Sequence, residues 1–445
     1  SKVKSLHSGV DLTEDLLHYF WKTGWLSTSP IRTISGESVE IIQPGIHNSH
    51  SGPDFEQALL KIADTTWAGN VEMHIRASDW YNHRHEQDEA YNNVILHVVY
   101  IYDRAVFRQD GTEISVIELK STIPETLVQS YRQLMSARSW IPCASSLKFV
   151  DEYHLQAFLS RVMTERLEAK YFEIIGLLEE QKGSWDNSFY IYLAKHFGFK
   201  TNALPFEWLA KSIPQQILAK HKNKPLQIEA LIFGQAGFLT EELREDYPQK
   251  LKAEYNFLRK KYCLTPLSAS IWKYMRMRPA NFPLIRLAQF TALILKSEHL
   301  FSKILKIEDP ASLKLLFSDL PVDVYWEHHY QFGQTTKKHA VQIGMGSIHA
   351  LLINVLANFL FSYGKYHGND LYCSRAIYLL EQLPAENNQI TRKFKEIGLG
   401  VQSAFGSQAL LMLKKNYCDH KKCLFCSIGS NILQRNHDSA PARFF

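Results

Sequence analysis

Apolar positions change period once along this chain, and the change divides it. Leu16, Leu17, Phe20 and Trp21 recur at helical spacing behind Asp11 and Glu14, which resemble a capping pair, so a first helix is expected from near Leu12. β-rich runs follow at 38–43, 58–62 and 69–75. The run 94–102 is almost continuously apolar around His97, as expected of a strand covered on both faces, and 114–119 follows the turn Gln109-Asp110-Gly111. These runs predict a small sheet with helices packed on it.

From about Ser121 the spacing becomes helical and stays so. The clearest helices are expected at 151–178, 242–261, 284–295, 348–362 and 403–415, separated by loops that hold Pro214, Pro225, Pro279, Pro283, Pro310, Pro321 and Pro384. The stretch 348–363 is the most apolar, but Asn354 and Asn358 interrupt it. It is also shorter than the roughly 20 residues that span a bilayer, so it reads as a buried helix and no membrane partner is expected.

Composition bounds the function only loosely. With 45% hydrophobic and 21% charged residues among 445, the chain is globular and long enough for two or three cores. Fifty basic against 45 acidic side chains give a formal charge of +5, which permits nucleic-acid binding without arguing for it. Residues 1–12 lack an apolar segment of the secretory type, and six cysteines are too few for a disulfide scaffold, so a reducing, cytoplasmic setting is expected. There is no P-loop, dinucleotide fingerprint or Gly-x-Ser-x-Gly elbow.

Chemistry concentrates first around Ser51-Gly52-Pro53-Asp54-Phe55 and Asn70-Val71-Glu72-Met73-His74-Ile75. Side chains alternate along a strand, so Glu72 and His74 share a face, and Asp54 at the start of the preceding strand can converge on them. This arrangement resembles the PD-(D/E)xK nuclease superfamily, whose signature is Pro-Asp, a gap, then an acid, any residue and lysine. The resemblance implies a restriction-endonuclease-like α/β domain over 1–125, and with the change to helical spacing an α+β protein is expected, with a linker over 126–150 and an all-helical domain over 151–445. It implies Asp54 and Glu72 as ligands of Mg²⁺ or Mn²⁺, with His74 as ligand or water-orienting base where the superfamily has lysine. Glu14 falls where some members place a further acid, and Lys61, on the intervening strand, is the first candidate to replace the missing lysine. DNA or RNA would then be the partner.

A second polar concentration runs from Ser78 to Glu86, with His83 and His85, and leads to Tyr91 and His97. These histidines could add ligands to the acidic pair, contact a phosphate backbone, or form an ordinary solvated loop. His47, Asn48 and His50 precede Pro53 without an evident role. Arg276, Arg278 and Arg286 flank a proline-rich loop near Tyr274 and Phe282, where they could hold single-stranded nucleic acid or act as internal capping groups, and Ser347 reads as an N-cap. The stretch 47–100, with Arg278-Pro279-Ala280-Asn281-Phe282-Pro283 and Lys421-Lys422-Cys423-Leu424-Phe425-Cys426, resembles a family of bacterial proteins known as a domain of unknown function.

The third concentration is Cys418, Cys423 and Cys426, spaced C-x4-C-x2-C. Two cysteines separated by two residues present both sulfurs to one ion, so these three are expected to hold zinc or an iron–sulfur cluster in a structural role. His420, His437 and Cys373 are candidates for the fourth ligand. The segment resembles, locally, the iron–sulfur loop that closes helix-hairpin-helix DNA glycosylases. Three functions follow as expectations: a metal-dependent nuclease, an inactive nucleic-acid-binding or scaffold protein that kept the fold, or a metal-dependent hydrolase with a histidine-rich site.

Overall fold

A computed structural model describes residues 12–28, 30–240 and 242–438. The first helix, α1 (Glu14–Lys22), starts with Thr13 in the N-cap position, while Asp11 lies outside the described residues. Its Leu16, Leu17, Phe20 and Trp21 are buried, as their spacing requires.

The strands are β1 (Ile31–Arg32), β2 (Ser38–Gln43), β3 (Ile46–His47), β4 (Phe55–Ile62), β5 (Thr65–Arg76), β6 (Val94–Ile101) and β7 (Ser115–Glu118). They form one mixed sheet in the order β1-β2-β4-β5-β6-β7, with β3 paired to β4. From β1 to β5 the neighbours are antiparallel, whereas β6 runs parallel to both β5 and β7. A parallel neighbour needs a crossover. Here it consists of one helical turn, α2 (Asp79–Asn82), and the 3-10 turns His85–Gln87 and Glu89–Tyr91. β6 is buried almost throughout, as its apolar run requires. The first half of β5 escapes a periodicity reading because Thr65–Ala68 is exposed on both faces of a hairpin.

Two local devices aim residues at one spot on this sheet. A bulge between Phe55 and Ala58, with Gln57 at φ 58°, lets Phe55 pair with Val71 while Ala58 pairs with Gly69. That register sets Asp54 beside Glu72 and Met73. The turn before it is tied by Asn48, whose side chain donates to the Ser51 and Pro53 carbonyls at 3.2 Å each. Beyond β5, fully buried Trp80 donates to the Phe107 carbonyl at 3.1 Å and packs with Ala77, Tyr91, Val94, Val99 and Val106, anchoring the crossover.

The chain forms two compact units, and they do not follow the division expected at 126–150. One holds the described residues up to 160 with 392–400 and 410–438, and the other holds 161–391 with 401–409. The cysteine-bearing C-terminus therefore belongs with the sheet, not with the helical unit. The helices expected from sequence are found at Glu152–Glu180, Asp246–Tyr262, Pro283–Lys296, Met345–His367 and Ala404–Leu413. Pro225–Gln235 was not expected as a helix, because residues 228–235 are all buried and leave no amphipathic period to read. Gly344, not Ser347, takes the N-cap position of the helix that follows, and the Ser347 hydroxyl accepts from buried Arg286 at 3.2 Å. Among the described residues, Met345–His367 is the helix long and apolar enough to cross a membrane, yet its most apolar window is 67% buried within the protein, as in a core helix.

Trp80→Ala should lower stability by about 3–5 kcal/mol, the usual cost of deleting a buried tryptophan. Urea unfolding followed by tryptophan fluorescence and circular dichroism measures this, and an unchanged midpoint would contradict the anchoring role.

Candidate metal centre

Glu72 and His74 lie two residues apart on β5 with Met73 buried on the opposite face, and Glu72 is in register with His97 on β6. Three polar side chains therefore share one face of a buried sheet. Glu72 is 5% exposed, His74 1% and His97 fully buried. The Glu72 Oε2 accepts from the Asp54 backbone N–H at 3.0 Å, and the Asp54 Oδ2 accepts in return from the Met73 N–H at 2.9 Å. This reciprocal pair is the direct product of the bulged register.

The other Glu72 oxygen faces imidazoles. Oε1 lies 3.5 Å from His74 Nε2 and 3.3 Å from His85 Nε2. His74 Nε2 also lies 3.1 Å from His83 Nδ1, and His74 Nδ1 lies 2.8 Å from His97 Nε2. One ligating nitrogen from each of His74, His83 and His85 falls within 4.8 Å of the others. His83 and His85 reach the same spot because Arg84 between them takes a left-handed conformation, φ 61°, and because the Tyr91 ring stacks on His85 at 3.7 Å. His74 and Glu72 form the buried floor, and exposed His83 forms the mouth.

The electrostatics of this floor are unfavourable without a cation. Burial, then the neighbouring Asp54 carboxylate, push the Glu72 carboxyl up to about 9 against the Asp54 N–H that stabilises its charge, and Glu14 adds to the rise. Glu14 itself is raised, by burial first and Asp54 second. Burial, reinforced by His97, His85 and His83, drives His74 down to about 2, and burial with His85 drives His97 down to about 3. His85 is also lowered, chiefly by burial. The contacts between Glu72 and these rings are consequently not ion pairs at neutral pH.

Neutral imidazoles are the form that binds metals. When His74 Nδ1 donates its proton to His97, Nε2 turns a lone pair toward Glu72, His83 and His85. His85 Nε2 is buried without a hydrogen-bond partner, although it lies within reach of Glu72 Oε1. An orphaned nitrogen beside a carboxylate oxygen is what a ligand set looks like around an ion, so these residues fit a divalent metal. A set rich in imidazole suits zinc, iron or manganese better than magnesium.

His18, which the sequence reading did not single out, joins the site from α1, its Nε2 3.2 Å from Asp54 Oδ2. Its signal was the four-residue step from Glu14, which puts both on one helix face. His47 stays on the flank, its ring 5.3 Å from that of His18, and His50 is exposed. Lys61 does not reach the site. It pairs with Glu40 and Thr66 at the far end of β4, about 20 Å along the strand from Asp54. No lysine or arginine pairs with Asp54 or Glu72 among the described residues.

The family described as "Protein of unknown function (DUF2851)" matches residues 14–389. The chain belongs to that family. The matched residues include every group just described and stop before the terminal cysteines, so the DUF2851 match carries the sheet and most of the helical unit but not the segment 418–426. Comparison with curated proteins and with solved structures found no match.

Those terminal cysteines stand apart from the histidines. Cys418 ends a π-helical turn, Cys423 opens a 3-10 turn, and Cys426 precedes the closing helix Ser427–Asp438. Of the fourth-ligand candidates, His420 is exposed, the His437 side chain lies outside the described residues, and the Cys373 thiol donates to the Phe361 carbonyl within the helical unit.

The pKa pattern fixes a sign. Glu72 in the metal-free fold keeps a proton that the unfolded chain releases near 4.5, so its contribution to stability falls as the pH rises from about 4.5 toward about 9. His74 and His97 run the other way, and their contribution is lost as the pH falls from 6.5 toward about 2 and about 3 respectively. Chelator-treated Glu72→Gln should therefore melt above chelator-treated wild type at pH 8 to 9, by roughly 1–3 kcal/mol, with the gap closing toward pH 5. Adding Zn²⁺ or Mn²⁺ should stabilise wild type and not the variant. A gap independent of pH would contradict the assignment.

Proposed function

We propose that this protein is a metal-dependent hydrolase of phosphodiester bonds, acting on DNA or RNA through a histidine-rich site. The observation that carries the proposal is Glu72, a buried carboxyl beside Asp54 and Glu14 whose free oxygen faces two neutral imidazoles. Such a group is out of place in a structural core and in place around a divalent ion.

The chemical roles follow from the geometry. Glu72, His74, His83 and His85 would hold the ion, with the His97 ring fixing the orientation of His74. A divalent ion in this position supplies Lewis-acid charge to a phosphoryl oxygen and lowers the pKa of water. Asp54 and Glu14 lie at the edge of the site, and the raised pKa of Glu14 suits a group that takes a proton from attacking water. His83, exposed at the mouth, marks the side from which substrate enters. The order of α1, an antiparallel meander carrying Pro53-Asp54 and Glu72, and a further parallel strand supports the PD-(D/E)xK nuclease resemblance on which the phosphodiester substrate rests. His74, buried against His97, occupies the superfamily's lysine position as a ligand and not as a cation.

One observation favours a second reading. Among the described residues no lysine pairs with Asp54 or Glu72, as a nucleic-acid-binding protein that had lost catalysis would also show.

The two readings separate in one assay. Metal-loaded wild type should cleave at least one of single-stranded DNA, duplex DNA, structured RNA or an aryl phosphodiester with Mn²⁺ or Zn²⁺, and should lose that activity to a chelator. Glu72→Gln and His85→Ala should reduce the rate at least about 100-fold, the scale of losing a ligand to a catalytic metal. Binding of nucleic acid without cleavage under every metal would favour the second reading.

A further inference from the structure

The cysteine segment has a partner that the spacing could not suggest. Lys421 donates to the Met135 carbonyl, Arg435 donates to the Phe149 carbonyl, and the Lys414 ammonium lies 5.1 Å over the Trp140 ring. The last turn of α3 (Glu125–Ser136) and the loop 137–149 after it are thus bound at three points to the segment 414–435. In the middle of that loop is Cys143, 8% exposed. Cys423 and Cys426 are 7% exposed each and Cys418 is half-buried. The closing helix presses on this segment so tightly that a Cβ at Gly429 would sit 2.3 Å from the Cys423 carbonyl oxygen.

The four thiols lie near enough to act on one another through charge. Burial first, and repulsion from Cys426 second, push the Cys143 thiol up to about 12. Burial, then Cys143 and Cys426, raise Cys423 to about 12, and burial followed by all three partners raises Cys418 as well. All six cysteines of the chain are thiols, and the other two, Cys263 and Cys373, lie in the helical unit. Four thiols collected from positions 275 residues apart in sequence are not needed to fill an apolar core, where any small side chain would serve.

Spacing chooses between the metals. Four thiolates around one zinc at about 2.3 Å lie about 3.8 Å from one another. Among the described residues, no three of these sulfurs come within 4.8 Å of one another. A cluster of several irons spreads its thiolates more widely than a single ion does. We propose that Cys143, Cys418, Cys423 and Cys426 are the four ligands of one iron–sulfur cluster, which pins the C-terminal segment to the loop after α3.

The test is metal and sulfide analysis of the full chain purified without oxygen, with visible absorption spectra. Wild type should hold about two or four irons with equal acid-labile sulfide. Cys143→Ala should lose as much iron as Cys423→Ala, whereas Cys263→Ala and Cys373→Ala should keep it all. Should Cys143→Ala fail to fold, alkylation of wild type decides, since removing the iron should open Cys143 to reagent together with the other three. Iron retained in folded Cys143→Ala, alkylation that leaves Cys143 out, or wild type carrying one zinc and no sulfide would overturn the proposal.

Discussion

A carboxylate taken out of water needs a compensating charge, and the N-terminal sheet is built around one that has none of its own. Glu72 lies in the floor of the sheet with Asp54 and Glu14 as neighbours, and the Asp54 N–H is the hydrogen bond that holds its inner oxygen. The imidazoles around its outer oxygen cannot supply the charge, because burial and mutual repulsion keep them neutral. Protonation of Glu72 or an external cation are the two ways to relieve this arrangement, and the lone pairs of three histidines favour the second.

The rest of the unit can be understood as what holds that group in place. The bulge at Gln57 sets Asp54 against Glu72, at the expense of regular pairing on β4. The β5–β6 crossover is short, and it spends its one buried tryptophan and one left-handed arginine on bringing His83 and His85 back over the sheet. His97 then locks the His74 ring from below. Backbone irregularities and buried polar groups are both costly, and finding them at one point is how a functional site differs from a core.

Much of this was legible in the sequence, for identifiable reasons. Alternation on a strand put Glu72 and His74 on one face, and the dense polar stretch from Ser78 to Glu86 drew notice to His83 and His85. What alternation could not convey was which of these would carry charge, since that depends on burial by residues distant in sequence. Lys61 was proposed from its strand and fails because it lies seven residues further along β4 than Asp54, at the strand's far end. Glu14 was a weak analogy and His18 went unremarked, though their four-residue spacing on one helix was readable. Cys143 was invisible, because no spacing rule links a lone cysteine to a cluster 275 residues later. The domain boundary failed for the same reason, as the C-terminus returns to the first unit through long-range packing.

Anomalous X-ray diffraction from crystals soaked in Zn²⁺ or Mn²⁺, collected at the absorption edge of the metal, tests the central claim most directly. The account predicts one strong peak on the open side of Glu72, at about 2.0–2.2 Å from Glu72 Oε1 and from a nitrogen of His74 and His85, with His83 closing the set. Crystals that take up no metal there, and in which His74 keeps its hydrogen bonds to His83 and His97, would contradict it.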